Sequence, residues 1–204
     1  MTLTSEPLPS ARTADIIVLT GPSRAGKTTI CRRVVGEVRS RCLSVAGVLT
    51  EDGLGEGGAC LQVVRDLLSD ERRLLARTRA DDGQDRAQSD THAPSGSPGA
   101  SRLRWEFDAR GLAFGRRALS AAAELGCDLL VVDQIGPLEV RHRRGWTGVY
   151  ELVGAGRYDL ALIVVNPNVV DEFVAGLHHP CRVLGVDDAV RDELPAAIVS
   201  AHWP

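Results

Sequence analysis

The octapeptide Gly21–Thr28, Gly-Pro-Ser-Arg-Ala-Gly-Lys-Thr, constrains this chain more than any other stretch. It fits G-x-x-x-x-G-K-[ST], a loop that wraps phosphate oxygens. Ahead of it runs Ile16-Ile17-Val18-Leu19, an apolar β-branched run suited to a strand buried on both faces. Behind it Ile30, Val34, Val35 and Val38 recur at helical spacing, with Arg32, Arg33, Glu37 and Arg39 between them. Strand, glycine loop and helix therefore come in the order such a loop requires. With average glycine usage of about 7 %, a chance match to the four constrained positions arises on the order of once per hundred chains of this length.

The residue types follow from the chemistry. Gly21 and Gly26 let the backbone turn tightly and approach oxygen atoms without a side chain in the way. Amides of the loop and of the helix N-terminus then face a phosphate, whose charge the helix dipole favours. The expected nucleotide-binding segment is Gly21, Pro22, Ser23, Arg24, Ala25, Gly26, Lys27, Thr28 and Thr29. Within it Lys27 reaches the β and γ phosphates, and the Thr28 hydroxyl is a ligand for Mg²⁺. Lys27 is the only lysine in the 204 residues. An Arg-rich chain thus keeps a slim point charge at the one place where a planar fork suits less well.

Composition narrows the class. At 204 residues the chain fits one domain with room for a core, and its 44 % hydrophobic and 25 % charged content is that of a soluble globular protein. A net charge of −3 gives no electrostatic footprint for nucleic acid or an anionic membrane. Five scattered cysteines without a C-x-x-C point to a reducing, cytoplasmic setting. No apolar run approaches the length of a membrane span, and no signal pattern opens the chain.

Residues 1–14 read as a disordered leader, and 15–204 as a single domain. Leu43–Thr50 reads as a second strand ending in Glu51-Asp52, followed by a glycine-rich turn over Gly53–Gly58. Residues 59–67 and 72–76 suggest an antiparallel hairpin. About 79–101 the chain has no large apolar residue and reads as a disordered insertion, flanked by Arg77, Arg79, Arg102 and Arg104. That insertion is either a lid that brings an Arg to the phosphates or a solvated loop. A short strand at Leu103–Phe107 and a helix over Ala109–Gly126 come next.

Asp128-Leu129-Leu130-Val131-Val132-Asp133 then forms a buried strand that ends in Asp, the second signature of nucleotide sites. The Asp at such a tip holds Mg²⁺ opposite the loop hydroxyl, so Thr28 and Asp133 are the expected metal residues. Ala161–Val165 is a further strand, ending at Asn166, which either senses a phosphate or makes a turn before Pro167. Asn168 is expected to cap the next helix. His178-His179 has no metal-ligand partners nearby. Cys181–Val186 is the last strand, and Asp187-Asp188 is expected to open a helix that Pro195 breaks. The whole predicts an α/β fold with a mostly parallel central sheet, helices on both faces and a small antiparallel patch. Ligands bind such sheets at the carboxyl ends of the strands, where Gly21, Glu51, Asp133 and Asn166 fall.

With Leu19-Thr20-Gly21-Pro22, Gly26-Lys27-Thr28-Thr29, Gly47–Glu51 and Val131–Val140 in view, the chain resembles the cancer-related, or thermophile-type, nucleoside-triphosphatase family of P-loop proteins. The specific part is Asp133-Gln134-Ile135-Gly136-Pro137-Leu138-Glu139-Val140, close to the family's Asp-Glu-Ile-Gly-Pro-Met-Glu-Leu. Val186–Arg191 also resembles the family's Val-Thr-x-x-Asn-Arg stretch, with Val190 in the place of its Asn. The resemblance implies the P-loop NTPase fold and Mg²⁺-dependent hydrolysis of nucleoside triphosphates, and it puts Arg191 near the nucleotide. It implies a nucleoside triphosphate as partner, such as ATP or GTP, with no nucleic acid or membrane, on a monomer or weak oligomer.

Gln134 and Arg24 also depart from the family pattern, and the residues after Glu51 lack the Arg the family usually has there. Gln134 stands where the family has a Glu that polarises the attacking water as general base. An amide orients water but does not take its proton, so slow turnover is expected, with Lys27, Asp133, Gln134 and Glu139 as the catalytic set. Glu139 or Glu51 would be a substitute base where either reaches the water. Arg24 stands where the family has Gly. Two other readings stay open: a kinase with the insertion as lid, and a non-catalytic nucleotide switch motivated by Gln134.

Overall fold

The computed structural model describes residues 14–55, 58–79 and 104–204, so nearly all of the expected leader and of the expected insertion lies outside the described residues. The described residues form one sheet of eight strands: β1 (Asp15–Thr20), β2 (Val45–Leu54), β3 (Cys60–Asp66), β4 (Arg72–Arg79), β5 (Arg104–Phe107), β6 (Cys127–Ile135), β7 (Tyr158–Val165) and β8 (Arg182–Gly185). Their spatial order is β5-β4-β3-β2-β6-β7-β1-β8. Pairs β2–β6, β6–β7, β7–β1 and β1–β8 are parallel, whereas β2–β3, β3–β4 and β4–β5 are antiparallel. The expected mixed α/β sheet is therefore the observed one, with an antiparallel wing of three added strands.

The parallel strands alternate their buried residues between two faces. Ile17, Leu19, Leu129, Val131, Leu160 and Leu162 pack with Ile30, Val34, Val35 and Val38 of helix α1 (Lys27–Ser40) and with Ile198 and Val199 of α6 (Leu194–His202). Val18, Val48, Leu130, Val132 and Ile163 pack on the other side. There they meet Phe114, Ala118 and Ala122 of α2 (Ala109–Leu125), Val149 and Leu152 of α4 (Val149–Gly154) and Phe173 of α5 (Val170–Gly176). Strands covered on both faces need apolar residues at every position, which is why these runs show no polar alternation.

Several boundaries differ from expectation for identifiable reasons. β2 continues past Glu51 to Leu54, because it pairs with β3 as far as Leu54↔Cys60. The turn Pro167–Val169 is a short 3-10 helix whose cap is Asn166, not Asn168: the Asn166 side-chain oxygen accepts the Asn168 amide at 2.9 Å. Pro167 fills the first position inside that cap, where a missing N–H costs nothing. Residues 188–193 form turns, and Pro195 sits in the first turn of α6, so it starts that helix instead of ending one. The short α3 (Pro137–Val140) and α4 were not expected from the sequence.

Candidate nucleotide site

β1 delivers Gly21 to the carboxyl end of the sheet, and α1 begins at Lys27 directly after the loop. The residue before α1 is Gly26, at φ 97°, and no side chain caps the helix. The first-turn amides are thus left for an anion. Lys27 Nζ folds back to donate to the carbonyls of Gly21 at 2.8 Å and Pro22 at 2.6 Å, which spans the loop with its ammonium. Partial burial lowers the Lys27 pKa, while the charge of Asp133 works to raise it.

The two signatures meet. Thr28 Oγ1 donates to Asp133 Oδ2 at 2.9 Å, although 105 positions separate them. Thr50, on β2 beside β6, adds its backbone amide at 3.0 Å and its hydroxyl at 2.8 Å to the same oxygen. Asp133 is wholly buried, and its other oxygen, Oδ1, has no hydrogen-bond partner among the described residues. Burial raises the Asp133 pKa; the hydrogen bonds from Thr50 and Thr28 and the Lys27 charge counter it. A buried carboxylate with one oxygen satisfied and one left over beside a loop hydroxyl suits a hard divalent cation. Mg²⁺ takes one or two protein oxygens and completes its shell with phosphate and water.

Gln134 lies at an irregularity of the β6–β7 ladder between Val132 and Ile135, and at φ 83°. A bulge of this kind re-aims a side chain, and here Gln134 is exposed beside the buried Asp133. Its amide contacts Thr50 Oγ1 at 3.2 Å and, at 3.1 Å, the side-chain amide of Gln62 on β3. Glu139 is turned elsewhere: its carboxylate accepts the Gly136 amide at 3.0 Å and the Trp146 amide at 3.3 Å. Burial raises the Glu139 pKa against those two amides. Glu51 is held by Arg72 at 3.1 Å and Arg65 at 3.6 Å.

Arg191 lies across the loop. A Cβ placed on Gly26 would come 2.3 Å from Arg191 Cδ, so glycine there makes room for the arginine stem as well as for the positive φ. The Arg191 guanidinium pairs with Asp188 at 3.0 Å. Pro22, Ser23 and Arg24 of the loop are exposed; Ala25, Lys27, Thr28 and Thr29 are half-buried.

A family model described as NTPase matches residues 16–199. The chain belongs to this NTPase family. It is 30 % identical over 183 residues to the nucleoside-triphosphatase THEP1 of Ignicoccus hospitalis, a match covering 87 % of this chain and 90 % of that protein. Two solved structures share its fold. One is a human cancer-related nucleoside triphosphatase, with a TM-score of 0.60 and 20 % identity, covering 92 % of this chain and 96 % of that one. The other is THEP1 of Aquifex aeolicus, with a TM-score of 0.62 and 13 % identity, covering 93 % and 99 %.

Arg24 and Gln134 both stand at positive φ. Arg24 sits at φ 65°, in the left-handed region where a glycine is the unstrained residue. A non-glycine residue there costs roughly 1–2 kcal/mol. Gln134, at φ 83°, carries backbone strain of the same kind. Sequence reasoning missed Gln62 altogether and saw Thr50 only as part of a family-like segment. The available signal for Gln62 was a lone amide among apolar neighbours in a strand, which becomes meaningful only once β3 is known to lie near β6.

Proposed function

We propose that this protein hydrolyses nucleoside triphosphates to the diphosphate and phosphate, slowly and with Mg²⁺. The observation that carries the reading is the 2.9 Å bond from Thr28 to the buried Asp133, whose second oxygen is left unpartnered. Thr28 and Asp133 hold the metal, which when bound neutralises charge on the phosphates. Lys27 and the amides from Gly21 to Thr29 take the phosphate oxygens, and the positive end of α1 favours their charge. Arg191 lies over the same loop as a further cation for the nucleotide. Gln134 orients the attacking water without receiving its proton, so the proton passes to solvent or phosphate and turnover is slow. Glu139 acts by holding the Gly136 turn that follows Gln134. A reducing compartment suits the five free cysteines.

Phosphate release across ATP, GTP, CTP and UTP, with and without Mg²⁺, tests the reading, with Lys27→Ala as the blank. Release that depends on both Mg²⁺ and Lys27 supports it. Nucleotide binding without release from any triphosphate overturns it.

A further inference from the structure

Gln62 is buried at 8 % exposure on β3, and its amide meets that of Gln134. A proton count around Thr50 fixes how those two amides are set. Asp133 Oδ2 lies within 3.0 Å of three donors, the Thr28 hydroxyl and the amide and hydroxyl of Thr50, so it is an acceptor toward all of them. The Thr50 hydroxyl has a single proton. That proton lies on the shorter, 2.8 Å contact to Asp133, not on the 3.2 Å contact to Gln134. The Thr50–Gln134 contact is then a hydrogen bond only when the Gln134 NH₂ is the end facing Thr50. A carboxamide turned half a revolution about its last bond keeps its heavy-atom places and exchanges donor for acceptor. Turned so, the two N–H groups of Gln134 reach Thr50 Oγ1 and, across 3.1 Å, the end of Gln62, which must present its carbonyl.

We infer that Gln62 is a positioning residue that, together with Thr50, captures the NH₂ of Gln134 and so keeps the Gln134 carbonyl oxygen as its outward, water-accepting end. The chain Gln62 ← Gln134 → Thr50 → Asp133 has one donor and one acceptor at every link. Burial of Gln62 removes competing water, so an unpaired amide at this site is costly and the pairing is held. Gln62 touches no reacting atom; it acts through Gln134. The inference rests on the hydrolase reading above.

The test compares kcat, KM and Mg²⁺-nucleotide affinity for the full chain and for Gln62→Met, Gln62→Glu, Gln134→Met and the Gln62→Met/Gln134→Met pair. Methionine keeps the length and removes both polar ends; glutamate can only accept. Gln62→Met is expected to lower kcat about tenfold, a barrier rise of about 1.4 kcal/mol, with KM and nucleotide affinity unchanged. Gln62→Glu is expected to keep kcat, because the required end is the acceptor. The double variant is expected to be no slower than Gln134→Met alone, since both changes remove one function. Three results overturn the inference: full kcat in Gln62→Met, a Gln62→Glu as slow as Gln62→Met, or losses that multiply in the double variant. A wild-type chain that releases no phosphate sinks the hydrolase reading itself, whereas an active wild type matched by Gln62→Met sinks the inference alone.

Discussion

Replacing Thr50 with valine removes one hydroxyl and keeps the shape of the side chain. The lost bond is the 2.8 Å contact to Asp133 Oδ2; the Thr50 amide at 3.0 Å and the Thr28 hydroxyl at 2.9 Å remain on that oxygen. Thr50 is 4 % exposed, so no water takes the place of the hydroxyl. A hydrogen bond to a carboxylate is worth about 1.5–3 kcal/mol, so the valine variant should lose about 2 kcal/mol. For a domain of this size that lowers the melting temperature by roughly 4–8 °C. Thr50→Ser is the control: it keeps the hydroxyl and gives up one methyl group, at about 1 kcal/mol. Thermal melts of nucleotide-free protein should therefore rank wild type above serine and serine above valine. Turnover should follow the same order, since valine also frees one side of the Gln134 amide. A serine variant that melts below the valine variant would mean that methyl packing holds this position, and the hydrogen-bond argument would be wrong.

Further expectations concern the same site. Gln134→Glu restores a proton acceptor beside Asp133 and should raise hydrolysis at least about tenfold, or about 1.4 kcal/mol off the barrier; an unchanged rate in a phosphate-release assay would show that proton uptake does not limit turnover. Gly26→Ala puts a Cβ 2.3 Å from Arg191 Cδ at a φ of 97°. It should cost roughly 1–2 kcal/mol from backbone strain alone, and calorimetry should find nucleotide binding weakened; unaltered affinity would remove Arg191 from the loop. Burial raises the Asp133 and Glu139 carboxyls. A carboxyl raised in the folded state stabilises below its unfolded pKa near 4 and loses that contribution as pH rises through its folded value. Urea midpoints of Asp133→Asn should accordingly gain on those of the wild type as pH goes from about 4 to neutral. Parallel profiles would mean that Asp133 ionises in the fold as easily as in water.

What was legible in the sequence was what covalent spacing fixes. The loop Gly21–Thr28 is contiguous, and Asp133 ends a run so apolar that only a buried strand suits it. The likeness of Asp133–Val140 to a family motif supplied the rest, and the meeting of Thr28 with Asp133 bears out their expected proximity. Thr50 and Gln62 became visible as site residues only through the order β3-β2-β6, which pairs segments remote in the chain. The stretch 141–157 carries only a short helical repeat, Val149, Leu152 and Val153, and the rest of its order comes from tertiary contacts. Trp146 is buried against Gly115 of α2, where an added Cβ would lie 2.5 Å from its ring nitrogen. Pro167 and Pro195 taught the same lesson twice: each stands just inside a helical turn, where its fixed φ begins a helix and its missing N–H leaves nothing unpaired.

The half-buried ammonium of Lys27, clasped by the Gly21 and Pro22 carbonyls, is also the sole side-chain amine in the 204 residues. Acylating reagents and periodate-oxidised ribonucleotides thus have one internal target, set at the mouth of the loop. Adduct formation at that amine, counted by mass and quenched by a competing ligand, becomes a footprint of occupancy that calls for no engineered tag. The same scarcity leaves amine-directed cross-linkers almost nothing else to grip on this molecule.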